Sequence, residues 1–386
     1  MRLRILVAPS GYKECLEADR VAAAIAAGVR RADPDALVTP LPLVDGGEGF
    51  ARAMASATGG TTRTLSVTGP VGDPVTACFG LLGGDGPRTA VVEMAQAAGL
   101  RLVPAECRDP MHTTTRGVGE LIRAALDEGA THILVGCGDS GTNDGGAGMA
   151  QALGIRLLDA HGVDIPPGCG GLAQLASIDM TGRDPRLADV AIEAVLNITT
   201  LLCGPRGVAR VFGPQKGADP ATIEQMAAAL DNLAAVIEAS FGIDVRAMPG
   251  GGASGGLGTG LSVFLGAELR SRYDVVLSYF DLDGHLDRAD LVFTAEGGID
   301  LQTPNGKIPV EVARRAKQRG LPVIALAGAV DDRARIVYDH GIDAFFSTSM
   351  HPGPMEMAMA EAETMLALGA ENAMRAILAG RAMPRA

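Results

Sequence analysis

The sequence has no tryptophan, and aromatic residues make up only 3% of its 386 positions. Proteins that bind single-stranded nucleic acid stack bases on aromatic side chains, so this scarcity argues against that class. Positive charge is also in deficit, because 33 Lys and Arg face 45 Asp and Glu and leave a net charge of −12. Such a chain repels phosphate backbones and anionic membranes. We therefore expect neither nucleic acid nor membrane among its partners.

The six cysteines are scattered along the chain without a CxxC pair or other short spacing. This distribution does not match a zinc site or a secreted disulfide framework, and it is typical of reduced, buried thiols. No apolar run approaches the about 20 residues that a membrane-spanning helix needs. The N-terminal segment also lacks the apolar length and cleavage site of a signal peptide. These absences predict a cytoplasmic protein.

Glycine is abundant instead, with 52 residues concentrated at the ends of apolar runs. Apolar residues make up 47% of the chain, and the length suggests two or three domains. Glycine in that position is typical of α/β enzymes whose turns hold phosphate groups. The composition therefore predicts an α/β protein that binds a small, anionic ligand.

Strand and helix patterns alternate near both ends of the chain, as they do in βαβ units. Arg2–Ala8 reads as a buried strand, and Glu17–Arg31 reads as an amphipathic helix. From Thr62 onward the pattern becomes a meander of short strands. We predict a doubly wound domain, residues 1–61 and 288–386, interrupted by an inserted α/β domain, residues 62–287. The ligand cleft is expected between them, near the carboxyl ends of the strands.

Two further predictions concern the C-terminal half. Residues 249–260 read as a Gly-rich loop that precedes a helix containing Val263–Leu269. The last helix places Met355 and Met359 on the same side as Leu366. Methionines at helical spacing are typical of core packing, so we expect this side to be buried.

Three Gly-rich turns follow predicted strands, at 45–49, 136–146 and 249–260. Glycine lets backbone N–H groups converge on one phosphate oxygen, because it adopts positive φ and allows close approach. None of the three matches the GxxxxGK[ST] P-loop or the dinucleotide-binding GxGxxG unit. The hydroxyl groups that could add hydrogen-bond donors are those of Ser140, Thr142, Ser254 and Thr259.

Acidic residues lie inside or beside these turns, where they would repel a phosphate unless Mg²⁺ lies between or one is a base. They are Asp45, Glu48, Asp144, Glu296 and Asp300. For Asp45 and Asp144 the alternative is that each caps the following helix. Candidate cations are Lys13, Arg116, Lys216 and Lys307, although a lysine in a turn is usually solvated. The six histidines show no metal-binding spacing.

Taken together, these motifs resemble the bacterial-type glycerate 2-kinase family. The matching stretches are VDGGEGFARAM (44–54), SVTGPVGDPV (66–75), VEMAQAAGLRLVP (92–104), RDPMHTTTRGVGELI (108–122), SGTNDGGAGMAQALG (140–154), FGPQKGA (212–218), PGGGASGGLGTGLSVFLGAEL (249–269), EGGIDLQTPNGKIPV (296–310) and PVIALAGAV (322–330). The resemblance implies a flavodoxin-like parallel-sheet domain interrupted by a large inserted mixed α/β domain. It also implies a kinase that uses ATP and Mg²⁺ to phosphorylate D-glycerate to 2-phosphoglycerate, with a small molecule as its only substrate partner.

The resemblance further implies roles for particular residues. The catalytic residues are expected to be Lys13, Asp144 and Asp300. Asp144 and Asp300 are the expected base and Mg²⁺ ligands, and which of them has which role stays open. The substrate-binding residues are expected to be Asp45, Glu48, Arg116, Asn197, Glu296 and Gln302. The nucleotide- and phosphate-binding residues are expected to be Gly138, Ser140, Thr142, Asn143, Gly145, Gly251, Ser254, Gly255, Gly256 and Lys307.

The chain departs from the family pattern at three motif positions. Ser10 and Asn197 stand where the family usually has aspartate, and Gly298 stands where it usually has arginine. Losing the arginine removes a bidentate partner for a carboxylate or phosphate. These changes leave two alternatives open: a kinase with another hydroxy acid or polyol as acceptor, and a non-catalytic regulator that binds a nucleotide or metabolite. The oligomeric state is open too, a homo-oligomer included.

Overall fold

The computed structural model describes residues 2–12, 15–44, 49–304, 307–349 and 353–383. Its strands are β1 (Arg4–Val7), β2 (Leu37–Pro40), β3 (Thr61–Thr68), β4 (Pro74–Leu81), β5 (Thr89–Glu93), β6 (His132–Gly136), β7 (Arg156–Leu158), β8 (Ser177–Asp179), β9 (Ala191–Leu196), β10 (Glu268–Ser271), β11 (Leu291–Ile299), β12 (Val323–Val330) and β13 (Ala344–Ser347).

Its α-helices are α1 (Ala18–Ala32), α2 (Phe50–Ala57), α3 (Ala95–Ala98), α4 (Arg116–Asp127), α5 (Ala147–Ala152), α6 (Cys169–Leu172), α7 (Val208–Phe212), α8 (Pro220–Phe241), α9 (Ala253–Leu265), α10 (Arg272–Tyr279), α11 (Leu282–Leu286), α12 (Ile308–Lys317), α13 (Met355–Ala360) and α14 (Ala362–Arg381). Among the described residues, none of these helices is long and apolar enough to span a membrane.

The chain divides into two compact units, one formed by Met1–Asp45 with Val276–Ala386 and the other by Gly46–Val275. The boundaries therefore differ from the predicted ones at 61/62 and 287/288. Helix α2 explains the first difference, because it packs on β4 of the second unit. Gly80 in β4 lies so close to α2 that a Cβ there would be 2.6 Å from the Ala51 carbonyl oxygen.

The first unit is built on a parallel sheet with strand order β13-β12-β11-β1-β2. Ile5 of β1 is paired with Leu291 of β11 on one side and with Val38 of β2 on the other. Residues Ile5–Val7 are buried, as expected for a central parallel strand covered on both faces. Numbered within the unit, the order is that of a flavodoxin-like sheet. The predicted fold class is confirmed.

Helix α1 covers this sheet because its apolar residues recur at helical spacing. Val21, Ile25 and Val29 are all fully buried. Helix α14 packs against α1. The two helices are closest at Gly28 of α1, where a Cβ would collide with the Ala367 carbonyl oxygen of α14. Glycine at this position therefore sets the distance between the two helices.

The second unit contains a mixed sheet with strand order β10-β9-β6-β5-β4-β3. Strands β3, β4 and β5 pair in antiparallel fashion, as the predicted meander requires, whereas β5, β6, β9 and β10 are parallel. The carboxyl ends of β5 and β6 lie side by side, with Glu93 paired to Gly136. The loop after β6, residues 137–146, therefore starts at the sheet edge where parallel-sheet enzymes bind ligands.

Three local predictions are wrong. Residues 257–260 belong to helix α9 rather than to the predicted loop 249–260, because the run from Leu257 to Leu265 is apolar enough to be buried as a helix. Residues 268–271 form β10 rather than the end of a helix, since they pair with β9. Met355 is 70% exposed, because the last helical segment is divided into α13 and α14 and the first of these contributes no buried residue.

Candidate active site

The loop after β6 contains Asp144, a carboxylate with 0% of its surface exposed. Its Oδ2 accepts hydrogen bonds from the Thr115 N–H at 2.8 Å and the Gly148 N–H at 3.1 Å, and its Oδ1 accepts one from the Gly146 N–H at 3.1 Å. The Thr115 hydroxyl lies 3.0 and 2.9 Å from the two oxygens. Burial raises the pKa of Asp144, and these hydrogen bonds oppose the shift.

Asp144 thereby anchors the starts of two helices. Thr115 is the residue before α4, and Gly146 is the residue before α5. One carboxylate thus satisfies N–H groups at two helix N-termini that would otherwise be unpaired. A catalytic base or Mg²⁺ ligand needs an oxygen that a ligand can reach, and both oxygens of Asp144 are covered and bonded. The geometry argues against those predicted roles and agrees with the capping alternative.

Lys216 ends the short turn Pro214–Lys216. Its side chain is only 2% exposed, although a lysine in a turn is expected to be solvated. Its Nζ donates hydrogen bonds to the Ser140 Oγ at 2.9 Å, the Thr142 carbonyl oxygen at 2.7 Å and the Asn143 Oδ1 at 2.7 Å. Burial lowers the pKa of Lys216 to about 7, while the charge of Asp144 opposes the shift. The ammonium group therefore ties together three residues of the loop after β6, Ser140, Thr142 and Asn143.

A left-handed turn at the start of α9, residues 254–256, lies against this loop. Ser254, Gly255 and Gly256 have φ of 51°, 72° and 89°, and this conformation is strained for the serine. The Gly255 carbonyl accepts a hydrogen bond from the Gly145 N–H at 3.0 Å, and a Cβ on Gly255 would collide with the Thr142 carbonyl oxygen. Two of the three Gly-rich turns thus form one continuous backbone surface.

Two polar atoms of the loop after β6, Thr142 Oγ1 and Asn143 Nδ2, are buried without a hydrogen-bond partner in the described part of the chain. Lys216 fixes Asn143 Oδ1 as the acceptor, so Nδ2 carries the N–H donors of the amide. A buried donor left unpaired costs about 1–3 kcal/mol. Because folded proteins pair nearly all such groups, two of them side by side mark a candidate ligand-binding surface.

The loop that follows β9 borders this surface. Asn197 closes a turn there, since its Oδ1 accepts hydrogen bonds from the Thr199 N–H at 3.1 Å and the Thr199 hydroxyl at 2.8 Å. The Gly252 N–H donates to the Thr200 carbonyl at 3.1 Å, which joins the loop to the second Gly-rich turn. The structure therefore places the predicted binding residue Asn197 on a loop that is joined to residues 250–256, which are distant in sequence.

Two further predicted site residues of this unit are Arg116 and Gly251. Arg116 begins α4, directly after the Thr115 that binds Asp144, and its Nε is 3.5 Å from Glu120 Oε1. The Gly251 carbonyl accepts a hydrogen bond from the Thr259 hydroxyl at 3.0 Å. The other predicted phosphate-binding residues of this unit, Gly138 and Ser140, lie in the loop after β6 itself.

In the first unit, the predicted site residues meet at the carboxyl end of β11. Lys307 Nζ lies 3.3 Å from Glu296 Oε1 and 3.5 Å from Asp300 Oδ1, and it donates to the Gly298 carbonyl at 3.2 Å. Strand order reverses between β11 and β1, and doubly wound sheets bind ligands at that point. The sheet topology thus places these side chains at the expected ligand edge.

Asp300 differs from Asp144 in its access to solvent. Its Oδ1 accepts hydrogen bonds from the Gln302 N–H at 2.7 Å and the Thr303 N–H at 3.1 Å, which orders the turn after β11. Its side chain is nevertheless 42% exposed. Of the two predicted catalytic carboxylates, Asp300 is therefore the one that a substrate can reach.

The predicted site residues Lys13, Asp45 and Glu48 lie outside the described residues. Within the ranges that the structure describes, no three His, Cys, Asp or Glu side chains are grouped as metal ligands. Of the two predicted Mg²⁺ ligands, Asp144 has both carboxylate oxygens covered and hydrogen-bonded within the protein. This pair does not fit a Mg²⁺ site.

Lys216 is predicted as a candidate cation but not as a site residue, although the sequence contains a signal for it in the scarcity of lysine. The chain has four lysines among its 33 basic residues, and Lys13, Lys216 and Lys307 lie in predicted turns, the fourth being Lys317. Where arginine otherwise supplies the positive charge, a retained lysine indicates a need for a compact ammonium group with three donors.

Glu93 is a second residue that sequence analysis does not assign to the site. It is 1% exposed, and it accepts hydrogen bonds from the Gly49 N–H at 3.2 Å, the Ala51 N–H at 3.3 Å and the Gln96 Nε2 at 3.2 Å. The carboxylate therefore holds the N-terminus of α2, directly after the first Gly-rich turn. Its signal in the sequence is the acid at the end of the apolar strand β5.

Comparison with known proteins gives a consistent result. A model of the glycerate kinase family matches residues 5–378. The glycerate 2-kinase of Escherichia coli K12 is 48% identical over 356 residues, which cover 92% of this chain and 93% of that protein. The glycerate kinase of Bacillus subtilis 168 is 47% identical over 360 residues, which cover 93% and 94%. The solved glycerate kinase 2 from Salmonella typhimurium LT2 has a TM-score of 0.85 at 46% identity and covers 99% of this chain and 100% of its own.

Proposed function

This chain belongs to the glycerate kinase family, so it is a kinase that phosphorylates a hydroxyl group, and we propose that it transfers the γ-phosphoryl group of ATP to the C2 hydroxyl of D-glycerate. The observation that supports this most is the joined pair of Gly-rich turns, with its buried donors that the described chain leaves unpaired. Phosphoryl transfer depends on such groups because negative charge is spread over the transferred oxygens.

The nucleotide end is proposed to be the surface formed by the loop after β6 and the turn 254–256. Thr142 Oγ1 and Asn143 Nδ2 provide donors that need acceptors, and phosphate oxygens are acceptors only. Strained, Gly-rich backbone of the kind found at Ser254 is typical of anion-binding concavities. When bound, ATP supplies the phosphoryl group, whose bond to the glycerate oxygen forms as its bond to ADP breaks.

The acceptor end is proposed to be the carboxyl edge of β11. Asp300 is the proposed base, which takes the proton of the glycerate hydroxyl as that oxygen attacks. Lys307 offsets negative charge there, and its contacts with Glu296 and Asp300 hold it at that edge. Asp144 is proposed as a purely structural carboxylate.

Mg²⁺ commonly enters kinases with ATP, keeps several water ligands and takes only one or two carboxylates from the protein. The predicted pair of Asp144 and Asp300 does not provide that set, for the reasons given above. The roles proposed for Asp300 and Lys307 rest on their own contacts and do not depend on where the ion lies.

D-glycerate is preferred over a changed acceptor because of the named relatives. Ser10, Asn197 and Gly298 depart from the motif pattern, but the identities of 48% and 47% extend over more than nine tenths of the chain. The retained Asp300 and Lys307 also favour an enzyme over a non-catalytic regulator. A cytoplasmic location and a homo-oligomeric state stay predictions of the sequence.

The test is ADP release by the purified protein with ATP, Mg²⁺ and D-glycerate, alongside other hydroxy acids and polyols. We expect turnover on D-glycerate of about 1–100 s⁻¹. Asp300→Asn should lower kcat by about 10²–10⁴-fold, as the loss of a general base does. Asp35→Asn is the matched control, because Asp35 is exposed and lies before the amino end of the edge strand β2, whereas Asp300 follows the carboxyl end of β11.

Activity confined to another acceptor would replace glycerate in this proposal. No ADP release with any acceptor would favour the non-catalytic regulator. An Asp300→Asn variant with full activity would remove Asp300 from the mechanism and leave the substrate assignment intact.

A further inference from the structure

Lys216 is a buried lysine whose three hydrogen bonds are not explained by the proposed phosphoryl transfer. A lysine is rarely buried without a carboxylate partner, yet the three acceptors of Lys216 are a hydroxyl, a carbonyl and an amide oxygen. They come from residues 140, 142 and 143, which are 73 to 76 positions away in sequence. The ammonium group therefore uses all three of its N–H donors on a single loop.

These contacts determine which way the Asn143 amide points. An ammonium group only donates, so the atom 2.7 Å from Lys216 Nζ must be the amide oxygen. The amide nitrogen is then on the other side, where it is buried and has no acceptor in the described part of the chain. A cation at the oxygen also polarises the amide and strengthens its N–H groups as donors.

We propose that Lys216 is a positioning residue that holds the loop 140–143 so that Asn143 Nδ2, together with Thr142 Oγ1, donates to a phosphoryl oxygen of the bound nucleotide. This rests on the proposed function of the same site. Three point-like donors at three separate acceptors require an ammonium group, which the planar guanidinium of arginine does not reproduce. That requirement explains why lysine is retained here in a chain that otherwise uses arginine.

Both donor atoms are covered in the structure, so a phosphoryl oxygen reaches them only when a neighbouring segment moves. The candidate for that movement is the turn 254–256, because Gly255 packs on the backbone of the same two residues, where a Cβ would meet the Thr142 carbonyl oxygen and the Asn143 Cα. Its consecutive left-handed residues include two glycines, which exchange backbone conformations at low cost. The loop held by Lys216 is thus the fixed half of the nucleotide site.

The decisive variant is Asn143→Asp, because it separates the two sides of this amide. The oxygen that faces Lys216 is kept and becomes charged, so the contact with Lys216 is strengthened. The donor on the ligand side is replaced by an anionic oxygen. We expect the variant to stay folded, because Lys216 pairs with the new charge, while the Kd for ADP, measured by calorimetry, rises about tenfold to a hundredfold.

Thr142→Val gives a second, independent signature. Valine has the shape of threonine without the hydroxyl, so this change removes a buried unpaired group. We expect an unfolding temperature equal to or above that of the wild type and a weaker affinity for ADP. A hydroxyl with a merely structural role would change stability in step with affinity.

Lys216→Met tests the positioning role directly. We expect weaker ADP binding and a lower kcat, with the KM for D-glycerate changed less than the Kd for ADP. Combining Lys216→Met with Asn143→Ala should weaken ADP binding little beyond Asn143→Ala alone, because the lysine acts through that amide. Lys317→Met is the matched control, since Lys317 is half-buried and contacts Asp343 and the Leu321 carbonyl, neither of which belongs to the loop after β6.

The outcomes separate this inference from the proposed function. If Asn143→Asp binds ADP as well as the wild type does, or loses D-glycerate affinity in place of ADP affinity, the inference is overturned even when glycerate is phosphorylated. If the wild type binds ADP, Asn143→Asp does not, and glycerate is no substrate, the inference stands and the proposed acceptor fails. A wild-type protein that binds neither ADP nor ATP overturns both.

Discussion

Replacing Asp144 distinguishes a structural carboxylate from a catalytic one. In Asp144→Asn, the least destabilising orientation places the amide nitrogen at the position of Oδ1. The hydrogen bond from the Gly146 N–H is then lost, and the amide oxygen keeps those from the Thr115 and Gly148 N–H groups. One buried N–H then faces another donor, which should lower the free energy of unfolding by about 1–3 kcal/mol. Asp144→Ala loses every acceptor and should cost about 3–5 kcal/mol.

The stability of a domain is about 5–15 kcal/mol, so the asparagine variant should fold. The assay is urea denaturation of each variant, followed by kcat for D-glycerate at a temperature where the variant is folded. We expect kcat of Asp144→Asn to stay within about tenfold of the wild type, because loss of a general base costs about 10²–10⁴-fold. Asp300→Asn should show the reverse pattern, with stability kept and kcat lost. An Asp144→Asn variant of wild-type stability and about 10³-fold lower kcat would refute this reasoning.

The remaining predictions concern Lys216, Gly255 and Lys307. The folded-state pKa of Lys216 is lowered from 10.5 to about 7, so the unfolded chain binds more protons between these values and the stability that Lys216 contributes should be lost as pH falls from 10.5 to 7. As the pH rises from 7 to 10.5, the unfolding free energy of the wild type minus that of Lys216→Met should therefore increase by up to about 1.4 kcal/mol per pH unit. A difference that does not change with pH would contradict the lowered pKa. Gly255→Ala should lower the free energy of unfolding, measured by urea denaturation, much more than Gly266→Ala does. Both glycines have φ above 70°, but only at Gly255 does a carbonyl oxygen occupy the place of the Cβ. Equal losses of unfolding free energy would show that the turn does not pack on the loop. Lys307→Met should raise the KM for D-glycerate about tenfold or more in the ADP-release assay, since a charge-assisted contact is lost, and an unchanged KM would exclude that contact.

Local structure could be predicted well where a short apolar pattern decides it. The predicted strand Arg2–Ala8 contains β1, and the predicted helix Glu17–Arg31 differs from α1 by one residue at each end. The loop after β6 could be identified as a candidate ligand site for the same reason, because glycine and hydroxyl residues follow directly on a buried strand. These features depend on neighbours in sequence.

The roles of the charged residues could not be predicted, because they depend on distant partners. Asp144 is a cap of two helices only because Thr115, 29 positions earlier, is brought against it. Lys216 is buried only because its acceptors in the loop after β6 fold around it. The left-handed conformation of Ser254 could not be predicted from the sequence either, since serine does not favour it. It occurs next to Gly255, which is packed against the loop after β6.

Proton-coupled ³¹P NMR of the reaction with ATP, Mg²⁺ and D-glycerate tests whether this chain phosphorylates the C2 hydroxyl, as proposed. C2 bears one hydrogen and C3 bears two. We expect a new phosphomonoester signal, split into a doublet, that grows as ATP is converted to ADP. A triplet would place the phosphate on C3 and contradict the proposed position, and the absence of any new phosphomonoester would contradict the activity itself.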